Sequence, residues 1–144
     1  MPSSKSEKSA SAMTLSQKIK EITNGKDLSE IEELILDGIK STTVSGLTDE
    51  FSMLSYLSMI NVGLTSLTGF PYLPNLEELE LSDNKISGGL DIIVKQCPKL
   101  SRLNLSGNRI KSVDTVSCLV SALNLHCFSS ARNVTMKTLI VFLL

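Results

Sequence analysis

Acidic side chains are concentrated in the middle of this 144-residue chain. Residues 27–96 carry twelve acidic and three basic side chains, whereas the segments before and after them both carry a net positive charge. Carboxylates at this density attract basic partners and repel the phosphates of nucleic acids. We therefore expect basic proteins as partners and no direct binding of DNA.

The residues needed for catalysis or metal binding are scarce. The chain has one histidine and contains no G-x-S-x-G, G-x-x-x-x-G-K-[ST] or H-E-x-x-H motif, so neither nucleophile activation nor phosphate binding is indicated. Cys118, His126 and Cys127 fit no common zinc spacing and have no evident fourth ligand. The three cysteines form no C-x-x-C motif, and we interpret them as small buried residues. We expect no enzymatic activity, no cofactor and no metal.

Two stretches that repeat almost letter for letter must position the acidic residues. Leu76–Ile86 and Leu100–Ile110 both read L-x-x-L-x-L-x-x-N-x-I, which is a leucine-rich-repeat signature. The fourth and sixth residues alternate as in a short strand and point inward, while their neighbours point outward. The ninth residues, Asn84 and Asn108, are predicted to hydrogen-bond backbone groups of the turn and of the neighbouring repeat.

Weaker copies of the motif precede and follow this pair. Ile31–Ile39 has isoleucine at the ninth position, and Leu54–Leu64 has Val62 there, with Asn61 one residue early. The four copies start at positions 31, 54, 76 and 100, and this nearly even spacing is typical of leucine-rich repeats. A fifth copy can be fitted as Val120–Leu125, although it starts earlier than the spacing of the other four would place it.

The repeats predict an α/β fold, a leucine-rich-repeat solenoid with a parallel concave β-sheet and short helices and turns on the convex side. Thr14 and Gln17 have the spacing of a capping box, so we predict an N-terminal capping helix that ends at Asn24. We expect a disordered Ser/Lys-rich tail over residues 1–13, the repeat domain over residues 14–128 and a divergent apolar segment over residues 129–144. That segment ends in six apolar residues, too few to span a bilayer, and packing as an edge strand remains one alternative for it.

The outward residues of the strands are predicted to form the concave face. Ile35 and Ile60 lie on it, and Tyr56 stands between two acidic columns as an aromatic anchor beside carboxylates that could pair with lysine or arginine. The alternative is that the glutamates only keep an exposed sheet soluble. The residues predicted to bind a partner are Glu33, Asp37, Tyr56, Ser58, Glu78, Glu80, Arg102 and Asn104.

Several stretches contain residues that the leucine-rich-repeat consensus does not require. They are Gly46–Phe51, Leu57–Leu67, Leu79–Leu90 (with Ser87-Gly88-Gly89), and Cys97-Pro98 followed by Leu103–Asn108. With these residues the chain resembles the acidic leucine-rich nuclear phosphoprotein 32 family over residues 14–113. The resemblance implies a non-enzymatic adaptor of nucleus and cytoplasm that binds histones, takes part in chromatin regulation and inhibits protein phosphatase 2A.

The chain departs from the family pattern after Val113, where members continue through a complete fifth repeat into a long acidic tail. We interpret the sequence as an alternative or truncated product, and a non-functional isoform is one alternative. Another is a different intracellular leucine-rich-repeat adaptor, such as a spliceosomal scaffold. In each case we expect a monomer without membrane contact.

Overall fold

A computed structural model gives the fold and describes residues 13–110 together with the backbone of residues 126 and 127. Residues 1–12 of the predicted tail (residues 1–13), the fitted strand at Val120–Leu125 and the apolar segment over residues 129–144 lie outside the described residues. No helix within the described part is long and apolar enough to cross a membrane.

Short parallel strands form one sheet in the order of the sequence. The strands are β1 (Glu33–Ile35), β2 (Tyr56–Ser58), β3 (Glu78–Glu80), β4 (Arg102–Asn104) and β5 (His126–Cys127). A 3-10 helix at Leu28–Glu30 precedes β1, and a helix at Asp91–Gln96 lies between β3 and β4. The predicted leucine-rich-repeat solenoid is confirmed.

The core lies directly behind the sheet. One row of the register joins Leu34, Leu57 and Leu79 on neighbouring strands, and these side chains are buried because alternation along each strand turns them inward. Phe51 and Ile93, from connections between strands, complete the same core. The inward positions of the first four repeats are filled by Leu34, Leu36, Leu57, Met59, Leu79, Leu81, Leu103 and Leu105.

An amphipathic helix, α1 (Leu15–Thr23), packs at the N-terminal end of the core. The Gln17 amide donates to Thr14 Oγ1 at 3.2 Å, and the Thr14 amide donates to Gln17 Oε1 at 2.8 Å, which forms the predicted capping box. Leu15 and Ile19 on one face of α1 are buried against the repeats. The predicted capping helix is therefore confirmed.

A left-handed residue recurs at the eighth position of every described repeat. The backbone φ is 72° at Gly38, 53° at Asn61, 56° at Asp83 and 71° at Gly107. Glycine has no Cβ to clash in this conformation, and asparagine and aspartate tolerate it better than other residues do. Asn61 is therefore not a displaced ladder asparagine but the turn residue of its repeat.

The fifth strand lies later in the sequence than the fitted copy predicted. Leu103 of β4 pairs with Cys127 of β5, and the offset between these two positions equals the offset between Leu79 and Leu103, which are also paired. The fifth repeat therefore keeps the spacing of the third and fourth, and the predicted start at Val120 is wrong. Apolar residues alone do not fix the register, because Leu123 and Leu125 fit the motif whereas Cys127 is the residue paired with Leu103.

Candidate functional site

The outward side chains of the strands form rows across the concave face. One row runs through Glu33, Tyr56, Glu78 and Arg102, because these residues are paired in the parallel register. The next row runs through Ile35, Ser58, Glu80 and Asn104. Tyr56 thus lies between Glu33 and Glu78, and the register brings the predicted strand residues together on one side of the sheet.

Glu78 is paired with a cation inside the molecule. Its carboxylate forms a salt bridge with the Arg102 guanidinium on the adjacent strand, and the two side chains are 23% and 54% exposed. Among the described residues, Glu33 and Glu80 form no such ion pair. The carboxylates available to a cationic partner are therefore concentrated on β1 and at the end of β3.

Glu80 lies in the least favourable position for a charge. Partial burial raises the pKa of this carboxyl, and the neighbouring carboxylates of Glu78 and Asp37 raise it further. A hydrogen bond with Asn104 and the charge of Arg102 oppose the rise. An external cation beside Glu80 would relieve both the burial cost and the repulsion.

Tyr56 places an aromatic ring next to the same carboxylates. Burial raises the pKa of its phenol, and Glu80, Glu78 and Asp37 add to the rise, whereas a hydrogen bond with Ser58 opposes it. The phenol is therefore neutral at physiological pH and keeps its proton as a hydrogen-bond donor. An aromatic ring surrounded by carboxylates suits a lysine or arginine side chain, whose stem contacts the ring while its charge meets the carboxylates.

Ser58 is buried, with only 1% of its surface exposed, although the sequence predicted it on the exposed face. Its hydroxyl donates to Asp37 Oδ1 at 2.6 Å, and the Ile60 amide donates to the same oxygen at 2.8 Å. The prediction that Ser58 is displayed on the surface is therefore wrong. Its short side chain lies below those of its neighbours and holds the Asp37 carboxylate in place.

Asn104 is directed at its own turn. Its Oδ1 accepts from the Ser106 amide at 3.1 Å and from the Ser106 hydroxyl at 2.8 Å. Asn104 therefore orders the exit of β4.

The ladder asparagines join one repeat to the preceding one. Asn84 Oδ1 accepts from the amides of Val62, Gly63 and Leu64 at 2.9–3.1 Å, and Asn84 Nδ2 donates to Met59 O at 2.8 Å. Asn108 Oδ1 accepts from the Ile86 amide at 3.0 Å, and its Nδ2 donates to Leu81 O at 2.8 Å. These contacts fix the spacing of the strands and hence of the rows on the concave face.

Ile35 is an exposed concave-face residue that the predicted partner-binding set omitted. Its side chain is 49% exposed between Glu33 and Asp37. The signal was present in the sequence, because Ile35 occupies an outward position of the motif where the third and fourth repeats carry Glu80 and Asn104. The predicted set was chosen for charge and hydrogen bonding, and an aliphatic residue did not enter it.

Comparison with known proteins identifies the family. A family model described as Leucine Rich repeats (2 copies) matches residues 74–118. Acidic leucine-rich nuclear phosphoprotein 32 family member A of Drosophila melanogaster is 54% identical over 100 residues. The repeat domain belongs to this family. The same protein of Drosophila pseudoobscura pseudoobscura is 58% identical over 90 residues.

The match to these nuclear phosphoproteins covers only part of them. The aligned region spans 69% of this chain but 38% of the D. melanogaster protein, and 62% of this chain but 34% of the D. pseudoobscura protein. A chain in the crystal structure of the Drosophila melanogaster SNF/U2A′ complex has the same fold, with a TM-score of 0.57 and 27% identity. That alignment covers 69% of this chain and 57% of the other.

The part of this family member that the structure describes holds no candidate metal centre. None of its residues form a group of three or more His, Cys, Asp and Glu side chains suited to a metal ion. Cys118 and the side chains of His126 and Cys127 lie outside the described residues. Cys97 is buried, and burial raises the pKa of its thiol to about 12, so the thiol stays neutral and unreactive at physiological pH.

Proposed function

We propose that the chain is a non-enzymatic protein-interaction adaptor whose concave face binds basic proteins, with histones as the first partner. The observation that carries this proposal is the row Glu33, Tyr56, Glu78 and the adjacent Glu80, which presents carboxylates beside an aromatic ring on a rigid sheet. Membership of a nuclear phosphoprotein family supports action in the nucleus, and we propose the cytoplasm as a second location.

Electrostatics support a basic partner over a nucleic acid. Glu33 and Glu80 form no ion pair among the described residues, and the burial and repulsion at Glu80 favour a cation beside it. Complementary charge on an exposed face accelerates association and makes the affinity depend on salt. Tyr56 would add desolvated contact area at the centre of the same row.

Inhibition of protein phosphatase 2A is the second activity proposed for this face. The resemblance of the repeat domain to the family supports it, and an acidic concave surface could cover a basic surface of the enzyme. Phosphatase activity measured at increasing concentrations of the chain tests this role, and activity that stays constant would contradict it.

The histone proposal is tested by reversing charge on and off the face. The variant carrying Glu33→Lys and Glu80→Lys changes two acidic residues of the concave face. Its control carries Asp49→Lys and Glu50→Lys, an exposed pair outside the sheet, so both variants have the same net charge. Purified histones are titrated into each protein at two salt concentrations.

We expect the concave-face variant to bind at least about tenfold more weakly than the control, since close charge pairs contribute about 1.5 kcal/mol or more each. Its affinity should also depend less on salt. Equal affinity and equal salt dependence in the two variants would contradict the proposal.

The similarity to a chain of the SNF/U2A′ complex favours a second candidate, a scaffold that binds one folded partner domain. Pull-downs with the full chain discriminate the two functions. Enrichment of histones and phosphatase supports the first, and enrichment of a single folded domain supports the second.

A further inference from the structure

The concave face has an apolar centre as well as acidic residues. Ile35 on β1 is 49% exposed, and Tyr56 and Ile60 on the next repeat are partly exposed. The register places Ser58 opposite Ile35 and Tyr56 opposite Glu33, so Tyr56 is a diagonal neighbour of Ile35, and Ile60 follows two residues after Ser58, just past the end of β2. These three residues, Ile35, Tyr56 and Ile60, are called the apolar patch.

The buried serine below the apolar patch explains why the patch is continuous. Ser58 is 1% exposed, because its hydroxyl is turned to Asp37 Oδ1 at 2.6 Å. Ser58 therefore adds almost no polar surface between Ile35, Tyr56 and Ile60.

Carboxylates surround the apolar patch. Glu33 and Asp37 lie before and after Ile35 on its own repeat, and Glu78 and Glu80 lie on the strand beyond Tyr56. Glu78 is paired with Arg102, which leaves Glu33, Asp37 and Glu80 nearest to a partner's cations. A purely basic ligand would leave Ile35 in water, whereas a ligand with an apolar side chain would cover it.

From this arrangement we infer that the concave face recognises a basic segment with an aliphatic side chain between its lysines or arginines, the aliphatic group contacting Ile35, Tyr56 and Ile60. The inference rests on the proposed function and adds a sequence requirement to it. The charges accelerate association and make the affinity depend on salt. The apolar contact then determines which basic segments bind most tightly.

Two lysine-rich peptides that differ at one central position test this inference. One carries leucine and the other serine, so their charges are equal. The full chain should bind the leucine peptide about fivefold more tightly, the ratio produced by ~1 kcal/mol of apolar burial. Ile35→Thr, which keeps a β-branched residue in the strand, should remove that preference.

Tyr72→Thr is the matched control, because Tyr72 is 48% exposed but lies outside the sheet, and it should retain the preference. Equal binding of both peptides by the unmodified chain would overturn the inference and leave the proposed function standing. Binding of neither peptide would overturn both. A preference that survives Ile35→Thr, or is lost in Tyr72→Thr, would also overturn the inference.

Discussion

At the scale of single residues, Glu78 and Glu80 both lie on the outward side of β3 but meet different neighbours. Arg102 neutralises Glu78, whereas Glu80 has partial burial and two nearby carboxylates that raise its pKa. The folded chain therefore holds the Glu80 proton at pH values where the unfolded chain has lost it. Ionised Glu80 consequently costs stability above its folded pKa, and the cost disappears as the pH falls below the ordinary value of 4.5.

Glu80→Gln should therefore raise the melting temperature at pH 7 and have a smaller effect at pH 4, where the carboxyl is already largely protonated. Thermal melts of variant and unmodified chain at both pH values measure the difference. Glu77→Gln, at an exposed neighbouring position, is the control. A destabilised Glu80→Gln variant at pH 7, or an equal gain at both pH values, would contradict the electrostatic account.

Asn84 is a buried polar residue whose loss should destabilise the fold. It is 4% exposed, and its amide group bonds the backbone of two repeats. Asn84→Ala leaves buried amides without an acceptor, which costs about 1–3 kcal/mol of unfolding free energy. Urea unfolding of the variant, compared with exposed Lys85→Ala, measures this cost, and equal stability of the two would show that the ladder contributes little.

At the scale of the elements, the turn after each strand restricts which residues can occupy it as strongly as the strand does. The φ of Gly107 is 71°, and a Cβ there would collide with the Asp83 carboxylate and lie 3.2 Å from Asp83 Cα. The turn of the fourth repeat therefore packs directly on the turn of the third. Glycine at position 107 allows the two repeats to approach.

Gly107→Ala should destabilise the chain by about 1–2 kcal/mol from the left-handed backbone alone, with a further cost from the contact with Asp83. Gly88→Ala is the control, because a Cβ at Gly88 meets nothing within 4 Å. Chemical unfolding of both variants measures the difference. If Gly88→Ala proved as destabilising as Gly107→Ala, the turn packing described here would be wrong.

The sequence predicts the positions of the strands well and the burial of their outward side chains less well. The leucine spacing predicts which side chains turn inward, and the offsets between repeats place Tyr56 between Glu33 and Glu78. Alternation gives the side of the sheet but not the height of a side chain above it, so the burial of Ser58 could not be foreseen. The salt bridge of Glu78 with Arg102 could have been predicted, because the offset between the third and fourth repeats already places these residues opposite each other.

At the scale of the whole molecule, the repeats convert a linear pattern into one continuous surface. Each strand contributes few outward residues, so no single repeat forms the site. The rows exist because the asparagine ladder and the packed turns hold adjacent strands in register. Sequence reasoning misplaced the fifth strand because it followed apolar residues, whereas the pairing of Leu103 with Cys127 keeps the offset of the preceding repeats.

The central claim is that the concave face is where basic proteins bind. A titration of the isotopically labelled full chain with a purified histone tail peptide, followed by the NMR signals of its backbone amides, tests this most directly. The largest shifts should occur at Glu33, Ile35, Tyr56 and Glu80, with little change in the convex helix at Asp91–Gln96. Shifts concentrated in that helix, or no shifts at saturating peptide, would contradict the claim.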